Sequence, residues 1–294
     1  MFRLKCWIRG SSPGHAFMLV CLLLGWAWPR AAEAPELRVY PTGRIYEYRW
    51  KLLELALAHC GGAAGNLRLV PYAGDITQNR SVLLTQSGAI DVVALGITAD
   101  REASLLPVPV DILKGIIGYR IFLIRGRDQG RISGMDDAAL VRELTYGLQR
   151  DWADRQVMVA NGCAVESASR SESLFWMLMA GRFDAFPRGL NEARQDLAEH
   201  REAFPGLALE QDKALYFPYP VYFWVNREHA WLAREIERGL KRALADGSFR
   251  NLFLSYHSRE IALMKGSRRH VLFLGNPLLP AGTVVPDTRW WWQP

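Results

Sequence analysis

The sequence predicts a two-lobed α/β protein in which each lobe is an open, mainly parallel sheet flanked by helices. Three observations carry that expectation. Short apolar runs that read as strands alternate with segments of helical periodicity over residues 37–186. One helix-to-strand unit occurs twice: Leu84-Thr85-Gln86-Ser87-Gly88-Ala89-Ile90-Asp91-Val92-Val93 matches the form of Leu178-Met179-Ala180-Gly181-Arg182-Phe183-Asp184-Ala185-Phe186. In both, a glycine closes the helix, an acidic residue follows three positions later, and a buried strand begins. Finally, the aromatic segment 215–225, with Pro218 and Pro220 inside it, reads as an extended strand crossing between lobes.

In chain order, residues 37–40 predict a first strand, closed by the turn-prone Pro41-Thr42-Gly43. Residues 46–60 place apolar side chains at three- and four-residue steps, a helix ended by Gly61-Gly62. A short strand over 67–70 and a helix over 77–87 follow. The run 90–95, apolar except for Asp91, suits a strand buried on both faces. The plan then repeats, with a strand over 116–125, a helix over 136–144, and short strands over 145–148 and 157–159. Ser169-Arg170-Ser171-Glu172 has the form of a capping box opening a helix through Met179, and capping accounts for these serines better than a nucleophile does. A helix over 230–245 carries Leu232, Ile236, Leu240, Ala243 and Leu244 on its apolar face and ends at Asp246-Gly247. The proline-rich tail from Asn276 finishes Trp290-Trp291-Trp292, expected to pack against the body, with partner docking as its second role.

Composition narrows the class. Half of the 294 residues are hydrophobic and 22% are charged, as in a globular protein and not a disordered one. Arg3, Lys5 and Arg9 precede an apolar run over 16–28, too short to span a hydrocarbon core that needs about 20 residues. Ala31, Ala32 and Ala34 follow, so residues 1–34 read as a secretory signal peptide and the chain as periplasmic. Cleavage after Ala34 would put Pro35 first, which signal peptidases disfavour; an uncleaved N-terminal anchor is the alternative. Loss of residues 1–34 removes four Lys/Arg and one Glu, lowering the net charge from +6 to +3. That mild balance, without an aromatic-basic tract, excludes nucleic acid as the expected partner. Of the cysteines, Cys60 and Cys163 remain after the signal; free thiols are favoured over a bridge. With no CxxC and scattered histidines, neither a metal nor another cofactor is expected.

These residues resemble the periplasmic solute-binding proteins of the amino-acid type (family 3), which have the type 2 binding-protein fold. The marks are Gly96-Ile97-Thr98-Ala99-Asp100-Arg101, Gly181-Arg182-Phe183-Asp184-Ala185 and Leu244-Ala245-Asp246-Gly247-Ser248-Phe249, in an order and spacing that cover most of the chain after residue 34. The resemblance implies that Arg101 grips a ligand carboxylate, with Gly96 and Thr98 beside it. Position supports this, because Arg101 follows a strand's carboxyl end and opens a short helix, where anions bind. Two departures stand out. The family has a serine at Gly96, and its aspartate for the ligand's amino group falls at Gly189, preceded by Arg188. An ordinary α-amino acid is therefore not the expected ligand. If Arg101 and Arg188 face each other across the cleft, a dianion would suit them; alternatively Arg188 pairs with Glu192 outside the cleft. Gln149, Arg150 and Trp152, at the junction of the second lobe's strand and helix, and Tyr40, at the end of the first strand, are further candidates to line the cleft.

The expected function is that of an exported binding subunit that closes its cleft on a small anionic ligand and delivers it to an ABC-type importer. It is expected to act as a monomer, with a membrane permease or sensor subunit as its partner. The expected divisions are a signal peptide over 1–34, lobe 1 over 35–113 and 220–294, and lobe 2 over 114–219, with hinges near 109–115 and 213–219. An exported sensory protein is the first alternative and an exported hydrolase the last. No nucleophile elbow, zinc-protease motif or phosphate loop is present, so no catalytic residue is assigned. Asp91 and Asp184, the two acids from which an acid/base pair could be built, are better explained by their turns.

Overall fold

The structure, a computed structural model, describes residues 35–74 and 76–291. The signal-peptide assignment and Trp292 lie outside the described residues. Twelve described strands form two sheets: β1 Glu36–Tyr40, β2 Arg68–Pro71, β3 Val92–Gly96, β4 Leu106–Val108, β5 Tyr119–Arg125, β6 Thr145–Gln149, β7 Ala164–Ala168, β8 Ala185–Gly189, β9 Leu207–Leu209, β10 Lys213–Tyr216, β11 Val221–Val225 and β12 His270–Phe273. The first sheet has the order β2-β1-β3-β11-β4. The second has the order β12-β10-β5-β8-β6-β7, with β9 beside β5.

From β7 onward the second sheet repeats the first. In each, a parallel trio (β2-β1-β3, β7-β6-β8) is followed by an antiparallel strand (β11, β5) and then one more (β4, β10). The repeated turn seen in the sequence sits at matching places. Gly88 and Gly181 both take positive φ, 74° and 75°, where a Cβ would be strained. The Asp91 carboxylate accepts from the Arg38 amide of β1 at 2.7 Å, and that of Asp184 from the Thr145 amide of β6 at 3.0 Å. Each acid thus ties its strand to the neighbouring first strand. Arg38 and Arg131 complete their charge pairing.

Helices Glu47–Ala58 and Ala230–Ala245 pack side by side on the first sheet. Gly239 permits their contact, because a Cβ there would lie 1.9 Å from the Ala56 carbonyl oxygen. Leu232, Ile236, Leu240 and Ala243 face inward as the period predicts; Leu244 is only partly buried. Helices Ala153–Ala160, Ser171–Met179 and Leu190–His200 accompany the second sheet. One continuous apolar cluster includes residues of both sheets and of the segments joining them. Strand β11 is buried along its whole length, and full burial of each large side chain such as Phe223 contributes about 1.5–3 kcal/mol.

Several expectations need correction. Residues 157–159 belong to a helix, with Ala153 and Val157 buried on one face; three apolar residues could not fix the period. The proposed capping box is absent. Arg170 occupies the cap position and its side chain does not cap the helix, and Glu172 turns to His200 at 3.1 Å. The segment 215–225 is two strands in different sheets, interrupted where Pro218 and Pro220 have no amide hydrogen for a ladder. Residues 248–266 form a 19-residue helix not foreseen from the sequence. Finally, β12 pairs in parallel with β10, so 270–273 joins the second sheet although 220–294 was assigned to the first lobe. The open edge of β10 needs a partner for its backbone, and β12 supplies it.

Cys60 and Cys163 are free thiols, and burial pushes Cys163 up to about 11. The C-terminal tail packs on the body, as expected. Asn276 donates to the Pro218 carbonyl at 2.8 Å, and the Trp291 indole donates to the Lys114 carbonyl at 2.7 Å. Trp290 stands edge-on to Phe249 and Phe253.

Candidate functional site

The carboxyl ends of the parallel strands β1, β3, β6 and β8 border one cavity of about 520 Å³ between the two sheets. Two crossings between the sheets, 109–118 and 217–220, contribute Ile117 and Tyr219 to its lining. Helix Glu47–Ala58 contributes Arg49, and helix Leu190–His200 contributes Glu192. These two side chains approach across the gap to 3.8 Å. A second bond between the two sides joins the Gln78 amide to the Asp151 carboxylate at 2.8 Å.

Of the residues singled out in the sequence, Tyr40, Gly96, Gln149, Trp152 and Arg188 line this cavity. Thr98, Arg101 and Arg150 instead line a neighbouring one of about 490 Å³, which Leu278 and Leu279 of the tail also border. Thr98 caps its helix by accepting from the Arg101 amide at 3.3 Å. The Arg101 guanidinium, 6% exposed, donates to the Gly96 carbonyl at 2.7 Å and to Gln78 Oε1 at 2.6 Å. It braces the cavity wall. Tyr40 donates its hydroxyl to the Ile76 carbonyl, and Gln149 donates to the Ser169 carbonyl at 3.2 Å.

Arg188 resolves both halves of its sequence alternative: it lines the cavity and is also paired with Glu192. Its guanidinium lies 4.8 Å over Trp152, 3.3 Å from Glu192 and 2.5 Å from Asp196. Burial pulls its pKa down, but the two carboxylates more than reverse this, and the net direction is up. For Glu192, burial pushes the pKa up, and Arg188, Arg49 and Arg120 together bring it below the usual range, so it is an anion. Burial raises Asp196 despite Arg188. Arg101 and Arg188 therefore do not form a pair of free cations facing a ligand. The dianion expectation loses that basis.

The sequence reading did not place Arg49, Arg120, Asp154, Glu192 or Tyr219 in the cleft. Arg49 donates to the Ala94 carbonyl at 3.0 Å and stacks 4.7 Å over Tyr46. Arg120 is buried at the start of β5, between Phe217 and Tyr219, with Asp154 beside it. A charged residue inside an otherwise apolar strand was the available signal for Arg120. Among the described residues, no group of three or more His, Cys, Asp or Glu side chains is placed to hold a metal ion, and no helix is long and apolar enough to cross a membrane.

No protein-family model matches the chain, and no curated protein sequence does. Its structure, however, is similar to many solved ones. An ancestral arginine-binding protein bound to arginine is 18% identical, with a TM-score of 0.56 over 76% of this chain and 99% of its own. A putative ABC-transporter binding component from Wolinella succinogenes, complexed with lysine, is 14% identical, with a TM-score of 0.54 over 75% and 95%. The VFT2 domain of BvgS from Bordetella pertussis is 16% identical, with a TM-score of 0.54 over 76% and 92%. The chain has the type 2 periplasmic-binding-protein fold.

Within that fold the two departures at the expected anchors have spatial explanations. A Cβ on Gly96 would lie 2.3 Å from the Tyr219 ring and 2.6 Å from its hydroxyl oxygen. Tyr219 thus fills the place of a side chain at Gly96 and brings its own hydroxyl there. A Cβ on Gly189 would lie 3.3 Å from Glu192 Oε2, which also accepts from the Gly189 amide at 3.3 Å. A carboxylate therefore stands beside Gly189, reached from one helical turn later, and it is paired with Arg188.

Proposed function

We propose that this chain is an exported solute-binding protein that closes its two lobes over a small ligand in the cavity of about 520 Å³. The observation carrying this reading is that two sheets of one topology present their strand tips, and buried charges of both signs, to a shared gap. Ligands of open α/β sheets bind at such tips. In this proposal lobe 1 is 35–113 with 220–269, and lobe 2 is 114–219 with β12. The crossings 109–118 and 217–220 rotate as the lobes close. The ligand carries an anionic group for the arginines, and Glu192 with Asp154 offers acceptors to a second, donor group.

In this reading the protein works in the periplasm as a monomer and passes its ligand to an importer, without catalysis of its own. Likeness to a transporter binding component supports that partner. Likeness to the BvgS domain favours a second reading, in which the closed form is reported to a membrane sensor.

Native mass spectrometry of the purified protein and a thermal-shift series with named carboxylates and amino acids test the proposal. At a hundredfold excess over Kd a ligand adds about 2.7 kcal/mol to stability. Melting then rises by roughly 5–10 °C for a protein of this size. A protein that retains no small molecule and melts unchanged with every compound would refute the reading.

A further inference from the structure

We propose that Arg120, and not Arg101, receives the ligand's anionic group; this rests on the cleft being a ligand site. Four arginines surround the cavity walls, and three of them are committed. Arg101 is held by Gly96 and Gln78. Arg188 is held by Asp196 and Glu192. Arg49 is held by the Ala94 carbonyl, with Glu192 beyond. Arg120 differs. Its Nε and Nη2 are buried and hydrogen-bond nothing. Nη2 lies 2.8 Å from Asp154 Oδ1 in a buried ion pair that balances its charge without hydrogen-bond geometry, so its donors stay unused. Ring faces also hold the guanidinium, 4.8 Å from Phe217 and 5.2 Å from Tyr219, and Arg120 lines the cavity.

Buried donors without acceptors are costly, and a guanidinium offers a planar fork. A carboxylate is its natural complement because two oxygens meet two donors in one plane. The location adds a consequence. Arg120 opens β5 directly after the crossing 109–118, and the rings that hold it belong to the crossing 217–220. An anion bound there touches the base of both crossings, so ligand contact and lobe rotation share the same residues.

The test compares wild type with Arg120→Gln, Arg120→Lys and Arg101→Gln. Affinities are measured by calorimetry for succinate, L-glutamate and L-arginine, together with any compound that native mass spectrometry finds retained. For whichever of these binds wild type, Arg120→Gln is expected to weaken binding about 100-fold, the range for truncating a buried charge partner. Arg120→Lys keeps the charge and most of the volume but loses the fork, and about a 10-fold loss is expected. Arg101→Gln, which disturbs only the wall, is expected to lose less than Arg120→Lys does. Wild-type affinity in both Arg120 variants would overturn the proposal, as would loss of binding in Arg101→Gln alone. If wild type itself binds none of the probes and retains nothing, the solute-binding reading fails first and this assignment with it. Melting curves of all four proteins separate lost affinity from lost folding.

Discussion

Replacing Gly96 with serine puts a side chain where Tyr219 already stands. The new Cβ would sit 2.3 Å from two ring carbons and 2.6 Å from the hydroxyl oxygen, against about 3.5–4 Å for an ordinary contact. The ring therefore has to retreat by roughly 1 Å or more. It has little room, because Tyr219 is 4% exposed and packs on Phe217 and the Arg120 guanidinium. Overpacking of this kind costs about 1–3 kcal/mol. At 2–4 °C per kcal/mol, the melting temperature should fall by roughly 2–12 °C. The decisive assay is a double-mutant cycle in urea with Tyr219→Ala, which opens the space the serine needs. If the reasoning holds, the cost of Gly96→Ser shrinks in the Tyr219→Ala background, giving a coupling of about 0.5–3 kcal/mol. Strict additivity, or a Gly96→Ser protein as stable as wild type, would show that the ring does not occupy that place.

Gly239→Ala should destabilise strongly, by about 3 kcal/mol or more, because its Cβ meets backbone and not a yielding side chain; chemical denaturation measures this. Arg188→Ala leaves Asp196 and Glu192 buried beside each other without their main cation, and a loss of about 3–5 kcal/mol in folding stability is expected, read by urea titration. Burial, with Arg49 nearby, holds His257 down to about 3, so the folded protein keeps it neutral while an unfolded chain protonates it below about 6.5. Its contribution is complete above that pH and is lost progressively as pH falls towards 3. His257→Phe should therefore flatten the decline of stability between about pH 6 and 4, relative to wild type measured in parallel.

The parts of this fold legible in the sequence are those set by neighbours along the chain. Gly88 and Gly181 announce their turns because a left-handed backbone needs glycine, and the period of 230–245 gives its buried face directly. The split of 215–225 was half visible. Its two prolines mark where a ladder must stop, but not that the strands on either side join different sheets. The anchors were least legible, because their meaning depends on residues far away. Gly96 answers to Tyr219, 123 positions on, and Arg49 meets Glu192 only after both lobes have folded. Arg101 stood in the expected motif, yet its hydrogen bonds go to Gly96 and Gln78. A local pattern can fix where a side chain begins, but its partners decide what it does.

The tail ties the two crossings to each other. Asn276 holds the Pro218 carbonyl on one crossing, and Trp291 holds the Lys114 carbonyl on the other. Between them lie fourteen residues that include Pro286 and Thr288, against which a Cβ on Gly115 would press at 2.9 Å. The two crossings are thus lashed together by a third length of chain that belongs to neither. If the crossings rotate as proposed, turning one relative to the other would load that lashing, and the tail would add to the stiffness of the joint.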